Sequence, residues 1–387
     1  MTSFSYFTGT EVDFGEGLLK KLPQKLHQMG LQKPCLVTDK AILEQSFAKE
    51  LLQELPNAVL YTGVVPNPTI SSVNECAAFC HENACDGLIA IGGGSAIDTV
   101  KAAAIVATTG KSVACYLDGK GASREELPQN LIPFVAVPTT SGTGSEVSQY
   151  AVITDETTQR KDSISSCKMY PLYAVVDPTV TYQLPKNITV ATGLDVLGHS
   201  LEAITSTIHN PMTDLLALEA IAKVFRYLPL AVNENTKEAR QEMAFASMLA
   251  GVAMSHCCGT LPHGMGCPLS GHCGVPHGLA VGVLQIPTLR LVAQQSQTQL
   301  ERIARYLDKG FHAKRPTDAA DYLIDKIAAL FIEIGRKPDL CDFHISREQV
   351  EAMIPDALAH GCTGLMPVAV DENTVRRIYV ELAEGVY

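Results

Sequence analysis

The 387-residue chain predicts a parallel α/β domain followed by an all-helical domain, and three observations carry that reading. Short apolar, β-rich runs alternate with helical stretches through the first half. After Asp177-Pro178 such runs become rare, and helical periodicity continues to the C-terminus. The length is too great for one ordinary core and suits two.

Strands are expected at 34–38 (PCLVT), 58–61 (AVLY), 87–91 (GLIAI) and 132–137 (IPFVAV), each brief and apolar. Helical segments lie between them at 42–54, 71–83 and 95–107. Alternation of this kind implies a parallel sheet covered on both faces. Two further runs, 150–154 and 172–176, flank the polar stretch TDETTQRKDS and are expected to form a hairpin or an edge extension of that sheet. Pro178 and Pro185 punctuate the change of texture, so the domains are placed at 1–180 and 181–387. Long helical periods follow, as at 212–227 and 240–255.

Hydrophobic residues make up 46% of the chain, which fits a well-buried globular protein. A net charge of -11 disfavours nucleic-acid or anionic-membrane partners, since both need a basic footprint. No apolar run reaches the length of a membrane span, and the N-terminus lacks a signal pattern, so a cytoplasmic protein is expected. The 12 cysteines are scattered from Cys35 to Cys362 without a CxxC pair, the habit of reduced thiols.

Gly92-Gly93-Gly94-Ser95 follows a buried strand and opens a helix. Consecutive glycines let backbone N–H groups approach an anion, and the helix N-terminus adds partial positive charge. A second loop, Pro138-Thr139-Thr140-Ser141-Gly142-Thr143-Gly144-Ser145, follows the 132–137 strand and offers hydroxyls. Both converge on the carboxyl edge of the sheet, where open α/β folds bind ligands, and a pyrophosphate fits the pair. The pattern is not GxGxxG, so a tight structural turn is the competing reading. Asp39 ends the first strand; its carboxylate suits a ribose 2′-hydroxyl and favours NAD over NADP, or caps the next helix.

In the second half, Asp195 and His199 stand one helical turn apart on a polar stripe with Thr192, Glu202 and Ser206. Four of the 11 histidines, His256, His263, His272 and His277, crowd into 22 residues among glycines and prolines. Asp195, His199, His263 and His277 together make a chelator for a divalent first-row metal such as Fe2+ or Zn2+. The Asp-His spacing alone also suits a surface hydrogen bond; the cluster tips the reading towards metal.

With GGGSAIDTVKA, PTTSGTGSEV, ATGLDVLGHSLEA and HGMGCPLSGHCGVPHG in order, the chain closely resembles the iron-containing (group III) alcohol dehydrogenases over essentially its whole length. The resemblance implies a dehydroquinate-synthase-like architecture: an α/β dinucleotide-binding domain, a helical metal-binding domain and a cleft between. It implies metal ligation by the same Asp195, His199, His263 and His277, and cofactor positions at Asp39, Asn67, Gly93, Gly94, Ser95, Asp98, Thr139, Thr140, Thr143 and Lys161. It also implies a homodimer or larger homo-oligomer.

One position departs from the family pattern His-Gly-x-x-His: the second histidine is replaced by Cys267. A thiol is a poorer proton shuttle near neutral pH, with an ordinary pKa of about 8.5. His272, five residues later, is the candidate substitute. The implied reaction is hydride transfer between NAD(H) and a small primary alcohol or aldehyde, with Tyr150 and Cys267 facing substrate. Rival readings are a zinc-dependent polyol dehydrogenase of the glycerol type, dehydroquinate synthase, and a catalytically silent NAD- or metal-binding subunit.

Overall fold

The computed structural model describes residues 3–158 and 160–386. The chain separates into two compact units, Phe7–Gln183 and a second comprising residues 184–386 with residues 3–6. The N-terminal residues group with the second unit because the Tyr6 ring stacks on His256 there, centroids 4.5 Å apart.

In the first unit the strands are β1 (Glu11–Phe14), β2 (Pro34–Val37), β3 (Val59–Tyr61), β4 (Gly87–Gly92), β5 (Phe134–Pro138), β6 (Tyr150–Asp155), β7 (Arg160–Ser165) and β8 (Tyr173–Val176). The helices are α1 (Leu22–Gln28), α2 (Lys40–Leu43), α3 (Ser46–Glu54), α4 (Ile70–Glu82) and α5 (Gly94–Thr109). Six strands form one sheet in the order β1-β8-β5-β4-β2-β3, every pairing parallel.

Alternate side chains feed two separate cores. Cys35, Val37, Leu88, Ala90, Phe134 and Ala136 enter one, while Leu36, Ile89, Ile91, Val135 and Val137 enter the other. A strand buried on both faces has no polar face to show, which is why these runs read as continuously apolar. After β3 the chain returns to place β4 on the far side of β2, so the sheet's switch point lies between the ends of β2 and β4.

Of the two expectations for 150–154 and 172–176, the hairpin between them does not form, whereas 172–176 does extend the main sheet. β6 pairs antiparallel with β7, a polar strand hidden inside the stretch read as a connection. β8 instead inserts between β1 and β5 and is wholly buried. A hairpin outside the main sheet tolerates the polar sequence RKDSIS, whereas an interior parallel strand demands YAVV.

The second unit contains α6 (Lys186–Thr205), α7 (Pro211–Asn233), α8 (Lys237–Cys257), α9 (Leu261–Cys273), α10 (His277–Val292), α11 (Gln297–Leu307), α12 (Asp318–Glu333), α13 (Arg347–Ala359) and α14 (Glu372–Glu384). Helix α6 is central, packed by α7, α8 and α10, and buried nearly all round. Its stripe of Asp195, His199, Glu202 and Ser206 is as hidden as its leucines. Polar groups so placed must find partners or a ligand. Among the described residues no single helix is long and apolar enough to cross a membrane.

Candidate functional site

Three side chains from three helices of the second unit converge. Asp195 lies in mid-α6, His263 in the first turn of α9, and His277 begins α10; one ligand atom from each lies within 4.8 Å of the others. Asp195 Oδ1 is 3.8 Å from His263 Nε2 and 3.9 Å from His277 Nε2. Those separations are too long for hydrogen bonds. Ligand atoms each about 2.0–2.2 Å from one ion stand roughly 3–4 Å from one another, so the spacing suits a shared cation. Asp195 Oδ1 and His263 Nε2 are buried with no hydrogen-bond partner in the chain. Each such group costs about 1–3 kcal/mol unless a ligand satisfies it. The residues fit a divalent cation.

His199, one turn along α6 from Asp195, stacks its ring on His263 with centroids 4.6 Å apart and planes 20° from parallel. His263 meets His277 edge-on at 5.3 Å. The compact trio therefore holds three of the four expected ligands, with the fourth against its flank. The close approach of α10 to α6 depends on Gly278, where a Cβ would stand 1.9 Å from the Ala191 carbonyl oxygen. Any side chain there pushes His277 away from Asp195.

Behind His263 lies Glu202, two turns along α6 from Asp195 and buried. Its carboxylate accepts from His263 Nδ1 at 2.8 and 2.9 Å, from the Thr260 backbone N–H at 2.5 Å, and from Gln285 Nε2 at 3.0 Å. Burial opposes charge on Glu202, but the His263 and Thr260 contacts outweigh it and hold the carboxyl below its usual range. Burial likewise opposes charge on His263, and Glu202 with Asp195 overcomes it, raising the imidazole to about 9. A carboxylate on Nδ1 orients the ring and leaves Nε2 facing Asp195, the arrangement of histidine ligands in metal sites. Glu202 stands on the polar stripe visible in the sequence; a lone carboxylate seven residues beyond Asp195 was the available signal.

The other relay candidates separate. His272 is nine residues beyond His263, two and a half helical turns, and so lies on the opposite side of α9. Its Nε2 is 3.1 Å from Asp356 Oδ2 of α13, and its carbonyl accepts from Gln349. His272 thus stands apart from the trio of Asp195, His263 and His277. Cys267, one turn after His263, shares that residue's face of α9 and is buried. Tyr150 belongs to the first unit, on β6, with its carbonyl oxygen accepting from Lys101.

In the first unit the two polar loops stand side by side at the carboxyl end of the sheet. The Thr139 N–H donates to the Gly92 carbonyl at 2.9 Å. A Cβ on Gly94 would come within 2.7 Å of Thr143, and one on Gly93 within 3.2 Å of Thr140. Only glycine permits this approach, and it bares the N-terminal amides of the 16-residue α5. Ser95 Oγ accepts from the Asn67 N–H at 3.2 Å, and Asn67 Oδ1 accepts from Lys161 Nζ at 2.9 Å. Asp39 Oδ1 accepts from the Ile42 N–H at 2.9 Å and caps α2, beside the switch point.

Asp98 is a buttress. Its two oxygens accept from Ser145 Oγ at 2.6 Å and from the Val152 N–H at 3.0 Å, tying α5 to the second loop and to β6. A direct cofactor contact was expected there, and both oxygens are already engaged. Lys101, fully buried, donates to the Ser148 and Tyr150 carbonyls at 2.8 Å each. Burial lowers it to about 8 against the pull of Asp98 and Glu146, and burial raises Glu146 to about 7. Neither residue was singled out from the sequence; a lone cation within the apolar α5 was the sign.

Comparison with known proteins returns a consistent picture. The family profile described as "Iron-containing alcohol dehydrogenase" matches residues 9–178, and "Fe-containing alcohol dehydrogenase family, C-terminal" matches residues 189–383. Alcohol dehydrogenase 4 of Schizosaccharomyces pombe is 34% identical over 371 residues, 95% of this chain and 86% of that protein. Lactaldehyde reductase of Escherichia coli is 32% identical over 370 residues, 95% and 96% of the two chains. The crystal structure of sulfoacetaldehyde reductase from Bifidobacterium kashiwanohense in complex with NAD+ superposes with a TM-score of 0.88 at 33% identity, covering 99% of each chain.

Proposed function

The chain belongs to the iron-containing alcohol dehydrogenase family, and on that premise we propose that it transfers a hydride between NAD(H) and a small primary alcohol or aldehyde at a centre formed by Asp195, His199, His263 and His277. The observation that carries this reading is the meeting of Asp195, His263 and His277 within 4.8 Å. Asp195 Oδ1 and His263 Nε2 there are buried with no hydrogen-bond partner in the chain. When bound, the Fe2+ or Zn2+ ion supplies Lewis-acid polarisation of the substrate oxygen and the nicotinamide supplies or takes the hydride.

The chain's own residues position these groups. Asp195 brings the one carboxylate among the imidazoles, and Glu202 keeps His263 from rotating. Residues 1–180 serve as the NAD-binding domain and 181–387 as the metal-binding, catalytic domain. In the former, the amides of Gly93, Gly94 and Ser95 hold the pyrophosphate, with Thr139, Thr140, Thr143, Asn67 and Lys161 around it. Asp39 keeps one carboxylate oxygen for a ribose hydroxyl, and Asp98 acts through Ser145.

Cys267 and Tyr150 are the substrate-facing side chains of this reading. Replacing a histidine by a thiol removes a proton donor at neutral pH and leaves room for a functional group on the aldehyde. Two relatives are, by name, reductases of small functionalised aldehydes, which supports the same substrate class. We read the protein as cytoplasmic, a reading supported by its scattered cysteines without a CxxC pair, and as a homodimer or larger homo-oligomer, which the family resemblance implies.

The test is NADH oxidation by the purified chain, reloaded with Fe2+ or Zn2+ after chelation, over a panel of short aldehydes. Turnover is expected only in the reloaded protein. His277→Ala should abolish it while NADH affinity stays unchanged; full turnover in that variant overturns the assignment.

A further inference from the structure

Helix α8 ends at Cys257, and the next residue, Cys258, takes φ 55 and ψ 177. That backbone region is nearly confined to glycine and is held only where the surroundings enforce it. Here it accompanies a second thiol: Cys258 Sγ lies 3.4 Å from Cys362 Sγ, across 104 residues of chain. Cys362 is buried in the 3-10 turn Gly361–Leu365, between α13 and α14, while Cys258 is partly exposed. That turn packs on α9, since a Cβ on Gly264 would stand 2.1 Å from Thr363 Oγ1. Two residues after Cys258, the Thr260 N–H donates to Glu202, the carboxylate that orients His263.

We propose that Cys258 and Cys362 are a reversible thiol–disulfide pair, a modification site for low-molecular-weight disulfides, whose oxidation loosens the metal centre through Thr260 and Glu202. The pair stands on its own geometry; its coupling to the centre rests on the metal reading above. A disulfide bond is about 2.05 Å long, so the sulfurs must close by roughly 1.4 Å. The movement falls on the α8–α9 junction or on the turn, both of which touch the first turn of α9. The Cys362 thiol, hydrogen-bonded to Cys258, draws the Cys258 pKa below its ordinary value, which favours it as first attacker.

In the first step the Cys258 thiolate attacks oxidised glutathione, forms a mixed disulfide and expels one glutathione thiolate. Cys362 then loses its proton and attacks the Cys258 sulfur, expelling the second. The protein gives up two electrons and two protons, and oxidised glutathione is reduced to two thiols.

The experiment equilibrates the full chain in glutathione buffers of graded redox poise, traps the thiols, and maps peptides by mass. A 258–362 cross-link is expected in the wild type, reversed by dithiothreitol. In Cys362→Ser, Cys258 should instead retain the mixed disulfide. Cross-linked protein should bind Zn2+ at least about tenfold more weakly than reduced protein in chelator competition, the scale seen when a ligand's supporting residue is disturbed. The double variant Cys258→Ser/Cys362→Ser should bind Zn2+ as the reduced wild type does and ignore the redox poise. Modification of exposed Cys167 with no 258–362 linkage overturns the pair. A cross-link with unchanged Zn2+ affinity overturns its coupling to the centre.

Discussion

Glu202→Gln is the most direct probe of the metal centre, because it keeps the side-chain shape and removes the charge. The wild-type carboxylate serves four donors: His263 Nδ1 at 2.8 Å, the Thr260 N–H at 2.5 Å, the Thr260 hydroxyl at 3.3 Å and Gln285 Nε2 at 3.0 Å. A glutamine has one acceptor oxygen with two lone pairs and a donating NH2 group. At most two of the four donors stay satisfied by that oxygen, and the amide NH2 faces donors on the other side. A hydrogen bond to a charged group contributes about 1.5–3 kcal/mol, so one lost bond on the histidine side is about a 10- to 100-fold weakening of cation binding at about 1.4 kcal/mol per factor of ten. That range matches losses at supporting residues of metal sites. The assay is competition of Zn2+ or Fe2+ between the purified variant and a chromogenic chelator, with circular dichroism confirming the fold and NADH titration confirming the other unit. NADH affinity should not change. A folded variant with wild-type cation affinity would refute the argument that Glu202 holds His263 in place.

Two further substitutions test separate parts of the structure. Gly278→Ala places a Cβ 1.9 Å from the Ala191 carbonyl oxygen, so α10 must shift; overpacking predicts about 1–3 kcal/mol of lost stability in urea titration, together with weaker cation binding, and a neutral effect on both would show that α10 yields freely. Glu146→Gln tests the buried cluster on the sheet unit. Burial raises Glu146 from 4.5 to about 7, so the folded state holds its proton more tightly than the unfolded one. Its contribution to stability is full below pH 4.5 and is lost as pH rises through 7, by up to about 3 kcal/mol. Unfolding curves should show the variant gaining on the wild type between pH 5 and 8, and a constant difference across that window refutes the burial argument.

The sheet strands were legible because burial on both faces writes an unbroken apolar run, as at Gly87–Gly92. β1 and β7 were not legible: EVDF is half polar, RKDSIS has five polar residues of six, neither is buried throughout, and their pairing comes from tertiary context. The convergence of Asp195, His263 and His277 had a sequence signal because aspartate and histidine are costly inside a core. The place of His272 in the sequence cluster says nothing of helix face; nine residues turn it away from His263 and onto Asp356. Glu202 and Lys101 were in view as residue types, but their roles depend on partners 58 to 83 and 47 to 49 positions away, separations no local pattern encodes. The same holds for Cys258 and Cys362.

Because Asp195, His263 and His277 stand on three different helices, an ion seated among them adds a brace to elements already joined by packing and by the Glu202 hydrogen bonds. A ligand that binds the folded form alone lends it free energy that grows with ligand supply, about 2.7 kcal/mol at a hundred times the dissociation constant. Starvation for iron or zinc would then shorten the lifetime of the polypeptide against cellular proteases, so its abundance follows nutrient availability without any change in its transcription.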